Sequence, residues 1–69
     1  MVNTKELENK IFNIGLKKYK IAEKLGITTY SLSKKINNKT EFKASEIKTI
    51  TALLSINNKK QINDIFFAD

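Results

Sequence analysis

Ala22 and Gly26 stand four residues apart in the stretch KYKIAEKLGITTYSLSKKI, Lys18 to Ile36, and no other feature restricts the fold as much. Two helices that cross steeply bring their backbones together at one point, where a small side chain is needed. Ala22 is placed for that crossing. Gly26 then supplies the positive φ of a three-residue turn. Around this pair Ile21, Leu25, Ile27, Leu32 and Ile36 fall at inward spacing. Thr28 suits the cap of the second helix, which leaves Thr29, Tyr30, Ser33 and Lys34 on its outward face. The layout predicts a helix-turn-helix at about residues 18–37, a motif whose second helix can enter the DNA major groove. A bare αα-hairpin in a small bundle is the competing reading of the same spacing.

The rest of the 69 residues reads as three further helices, so the expected fold class is all-α with five short helices in one domain, 1–69. The first opens at Asn3, with Glu6 placed to reach back in a capping box. Its buried stripe is Leu7, Ile11 and Ile14, with Phe12 beside it, and Gly15 ends it. Three helix starts share a hydrophobic staple: Leu16 with Ile21, Ile27 with Leu32, and Phe42 with Ile47. Of the three caps, Thr28 is good, whereas Lys17 and Lys43 lack an acceptor and face the positive helix end. Those two starts are expected to be weaker by about 1 kcal/mol each. The fourth helix runs on Ile47, Ile50, Leu53 and Leu54. A fifth starts near Asn58 and buries Ile62, Ile65 and Phe66.

Absent residues remove whole classes of chemistry. Without Cys or His there is no disulfide framework, no zinc finger and no thiol or imidazole catalysis. The remaining acids, bases and nucleophiles form no convergent cluster, so neither an enzyme nor a cofactor is expected. The longest apolar run, Ala52-Leu53-Leu54, is far too short for a membrane span. Charge is more informative. The net +6 comes from 13 lysines and no Arg. Residues 17–39 carry Lys17, Lys18, Lys20, Lys24, Lys34, Lys35 and Lys39 against Glu23 alone, while both flanks are neutral. Lys, Asn and Ile make up 31 of the 69 residues, which reads as bias towards A/T-rich codons. Codon bias spreads lysines along a chain, whereas a phosphate-facing surface collects them.

The segments IAEKLGIT, LSKKINNK, FKASEI and INDIFF together resemble the lambda-repressor-like, Cro/C1-type helix-turn-helix domains of phages and prophages. Among these the chain is most similar to small single-domain regulators of low-GC Gram-positive type. The resemblance implies a transcriptional repressor bound as a homodimer to a palindromic double-stranded DNA operator, in the cytoplasm of a bacterial cell. It places Thr28, Thr29, Tyr30, Ser33 and Lys34 in the recognition-helix slots and Lys39 in a loop that touches DNA backbone. Lys18 and Tyr19 open the first motif helix, where such domains usually carry Gln. Lys35 occupies a slot that is often apolar, and Lys43 one where Thr or Ser commonly caps.

These positions set the expected roles. Phosphate contacts fall to Lys17, Lys18, Tyr19, Thr28, Lys35, Asn38 and Lys39, and base reading to Thr29, Tyr30, Ser33 and Lys34. Asn37 or Asn38 comes within range of adenine if the helix end approaches the groove. Because Arg is absent, the commonest bidentate guanine contact is missing, so readout leans on apolar contacts, hydroxyls and DNA shape. One such module buries too little surface for tight specific binding, hence the expected dimer. Phe66 and Phe67 are adjacent, so one fills the core and the other is left for a partner surface. A protein-interaction module, such as an antirepressor or antitoxin-like helical domain, is the alternative from a different class.

Overall fold

Local signals at helix ends divide the chain as its spacing implies. A computed structural model describes residues 1–68, which form α1 (Thr4–Ile14), α2 (Lys18–Leu25), α3 (Thr29–Ile36), α4 (Ala44–Leu53) and α5 (Lys59–Phe66), with no strand among them. Helix α2 packs on α3 and α4, and α1 packs on α3 and α5. Leu7, Ile21, Leu32, Ile36 and Ile50 are fully buried where these helices meet. Ala22 is buried as well, on the helix that touches both α3 and α4.

The cap chemistry explains the boundaries. Asn3 Oδ1 accepts the Glu6 N–H at 3.2 Å, and Thr28 Oγ1 accepts the Ser31 N–H at 3.0 Å. Asn58 Oδ1 accepts from Lys60 and Gln61 at 2.8 and 3.3 Å. Gly26 turns out of α2 at φ 73°. An added Cβ there would meet nothing within 4 Å, so the requirement for glycine is conformational and not one of space. Helices α3 and α4 end on non-glycine left-handed residues instead, Asn38 at φ 63° and Ser55 at φ 57°. Lys39 N–H then reaches the Lys34 carbonyl at 2.8 Å, which satisfies an otherwise orphaned acceptor of α3.

Four details differ from the sequence reading. The capping box at Asn3 is half made: its N–H donates to the Ile65 carbonyl at 2.7 Å, tying the N-terminus to α5 in place of a return bond from Glu6. At Lys43 the side chain caps nothing, but the return half of a capping box is made, since Glu46 Oε1 accepts the Lys43 N–H at 2.8 Å. The α1 stripe stops at Ile11. Ile14 is exposed and Phe12 is 84% exposed, since the chain leaves the helix at Gly15 and Leu16 is the residue that packs against the core. Val2 and Ile56, both outside helices, are buried, and helical periodicity has no means of finding them.

Candidate nucleic-acid interface

Thr28 starts α3 on a satisfied cap, and its apolar residues Leu32 and Ile36 turn inward. Helical spacing then forces Thr29, Tyr30 and Ser33 outward, and all three are exposed. Tyr30 is 74% exposed, so it is not a core aromatic. Lys34, half-buried, holds its Nζ 5.3 Å from the Tyr30 ring centroid, a cation–π distance. Tyr30, Ser33, Lys34, Asn37 and Lys39 together line one shallow, open concave surface. Three of the four residues expected to read bases, Tyr30, Ser33 and Lys34, thus share that surface with Lys39, while Thr29 is exposed outside its lining.

The lysines of the basic stretch separate into three groups. Among the described residues Lys17, Lys24, Lys34 and Lys39 have no carboxylate within ion-pair distance. Lys18 Nζ pairs with Glu8 at 2.9 Å and Lys20 with Glu23 at 3.5 Å, both on the surface. Exposed pairs of this kind contribute at most about 1 kcal/mol, so a phosphate competes with them readily. Tyr19 is exposed beside Lys18.

Lys35 forms the third group and corrects an expected role. It is 8% exposed, and its ammonium donates to Glu46 Oε1 and to the Glu41 carbonyl, each at 3.0 Å. A cation held this way is unavailable to phosphate. Burial alone would raise the Glu46 pKa. The Lys43 N–H bond, the Lys35 bond and the two lysine charges outweigh that, and the carboxyl lies below its ordinary value. Two signals pointed to this pair: the often-apolar slot of Lys35, and Glu46 standing three residues after a cap without an acceptor.

Asn38 is the second correction. Its Oδ1 accepts the Val2 N–H at 2.7 Å and its Nδ2 donates to the Val2 carbonyl at 2.9 Å. The side chain is spent on clamping the N-terminal segment, whose Thr4 Oγ1 also donates to the Ile36 carbonyl at 2.7 Å. It is therefore not free for phosphate or adenine. Thr28 Oγ1 is committed as an acceptor to its cap, leaving only its hydroxyl proton for a phosphate.

Near the C-terminus, Phe66 is buried and meets Phe42 edge-on, centroids 5.5 Å apart at 84°. Phe67 is 58% exposed and borders a 210 Å³ cavity with Met1, Val2 and Phe42. One phenylalanine fills the core and the other does not.

Compared with known proteins, residues 2–69 match the family described as "Protein of unknown function (DUF739)". No curated protein and no solved structure matches the chain.

Proposed function

We propose that this chain, which belongs to the DUF739 family of proteins of unknown function, is a lambda-repressor-like, sequence-specific regulator that binds double-stranded DNA through α2 and α3. One observation carries the reading: the outward face of α3 is polar and accessible, and it runs into lysines free of carboxylate partners. Thr29, Tyr30 and Ser33 are exposed there, and Lys34 and Lys39 lie on the same concave surface. In this reading Lys17, Lys18, Tyr19, Thr28 and Lys39 hold phosphates on either side of the groove, which supplies most of the affinity and the register. Thr29, Tyr30, Ser33 and Lys34 meet base edges. Two copies bind a palindrome, with Phe67 as the apolar contact between them, and the protein acts as a phage-type repressor by occupancy, without catalysis. No helix among the described residues is long and apolar enough to cross a membrane. A cytoplasmic site of action on bacterial or phage DNA belongs to the proposal.

Selection from random duplex DNA, followed by titration of the enriched sequence at several salt concentrations, tests the proposal. A palindromic consensus with steep salt dependence is expected. Binding that ignores sequence, or that appears only at low salt, rejects a specific regulator. The near-complete exposure of Phe12 on α1 favours one other reading, a module that docks on another protein. A Phe12→Ser variant that keeps full operator affinity argues that this face is not the one used on DNA.

A further inference from the structure

We infer, resting on the DNA-binding reading above, that Asn37 selects a G·C base pair by accepting a hydrogen bond from the cytosine N4 amine. Asn37 is exposed at the C-terminal end of α3, on the same concave surface as Tyr30, Ser33, Lys34 and Lys39. Its Nδ2 donates to the Ser33 carbonyl at 2.9 Å and lies 3.5 Å from Ser33 Oγ. A carbonyl only accepts, so the nitrogen end of this amide is the end that faces Ser33. Both amide protons have their partners on Ser33. Oδ1 accepts no hydrogen bond from any described residue.

Asparagine reads adenine in the major groove with both ends of its amide, one on N6 and one on N7. Asn37 has only its acceptor to offer, and Asn38 is held by Val2. Cytosine presents an amine donor alone on that edge, which a lone acceptor matches; adenine sets its N7 acceptor beside its amine, and Asn37 has no amide proton left to meet N7. Cytosine's partner guanine presents O6 and N7, both acceptors. Lys34, three residues earlier and about 4.5 Å along the helix, presents donors alone. Donors and an acceptor thus share one concave surface, the complement of the guanine and cytosine edges of a base pair.

The test repeats the random-duplex selection with wild type, Asn37→Ala, Asn37→Asp and Lys34→Ala, each checked for helicity. Wild type should prefer G·C at one position of each half-site by about tenfold. Asn37→Ala should flatten that position while leaving the rest of the consensus, and Lys34→Ala should act on the same pair or the adjacent one. Asn37→Asp retains only acceptors, so it should keep the G·C preference at lower overall affinity. A consensus unchanged by Asn37→Ala, or A·T at the position it affects, overturns the assignment while the DNA reading stands. If wild type enriches no consensus at all, both fall together.

Discussion

Lys35 Nζ lies 3.0 Å from Glu46 Oε1, with the two side chains only 11% and 9% exposed. The same carboxylate oxygen accepts the Lys43 N–H, and the same ammonium donates to the Glu41 carbonyl. One buried charge pair therefore joins the end of α3, the loop that carries Lys39 and the start of α4. Its partners fill the hydrogen-bonding capacity that burial would otherwise leave costly. In the proposed complex this network sets how α3 and the Lys39 loop are presented to DNA.

Breaking the pair on one side should be far worse than removing it. Glu46→Ala strands a buried ammonium and should cost about 3–5 kcal/mol in urea unfolding, whereas Lys35→Met combined with Glu46→Leu should recover most of that. Equal losses in the single and double variants would contradict a compensated ion pair. The pH dependence follows from the lowered Glu46 pKa. Its folded value lies below the ordinary 4.5, so its contribution is complete above that pH and is lost as pH falls through the folded value. Unfolding midpoints should hold from neutral pH to about pH 5 and then drop, with a shallower drop in Glu46→Gln.

Asn38 combines a left-handed backbone with a two-way clamp on Val2. Asn38→Ala loses both hydrogen bonds and keeps a Cβ at φ 63° without the polar side chain that lets Asn tolerate it, for an expected cost of about 2–3 kcal/mol. Asn38→Gly loses the bonds but not the backbone compatibility and should cost about 1 kcal/mol less. Chemical denaturation ranks the two, and the opposite order would refute the backbone contribution.

Lysines on and off the proposed DNA face should separate in salt titrations. Lys39→Ala and Lys17→Ala should each weaken binding to every duplex and reduce the logarithmic salt slope by about 1. Lys60, paired with Asp64 at 3.1 Å on α5, lies off that face, and Lys60→Ala should leave the slope unchanged. Equivalent slopes for all three would mean that charge acts diffusely and no oriented face exists.

The two C-terminal phenylalanines should have opposite phenotypes. Phe66→Ala removes a buried ring from its edge contact with Phe42 and should destabilise the fold by about 3–5 kcal/mol. Phe67→Ser should leave stability almost unchanged yet abolish cooperative filling of two half-sites, read by comparing full-site and half-site duplexes in gel-shift titrations. Retained cooperativity would move the dimer contact elsewhere.

Much of the fold was legible because its determinants are local. Asn3, Thr28 and Asn58 cap within three residues of themselves, Gly15 and Gly26 suit turns that need a positive φ, and the apolar spacing picks out α2 through α5. The outward positions of α3 follow from the same period. What stayed illegible concerns neighbours. Lys35 and Lys39 read alike as basic residues, yet Glu46 and the Glu41 carbonyl enclose one and leave the other free. Asn37 and Asn38 form an identical pair in sequence, but Ser33 holds the first and Val2, 36 residues away, claims the second. Phe12 and Ile14 look like core beside Ile11 until the Gly15 turn carries Leu16 inward. The sequence alone determined five helices, the residues of the α3 face and the location of the basic stretch, since caps, period and composition act over one or two helical turns. The tertiary structure decided which lysine and which asparagine remain available to a partner. That choice depends on how each helix is rotated against its neighbours and on hydrogen-bond partners supplied by distant segments, neither of which is encoded in local spacing.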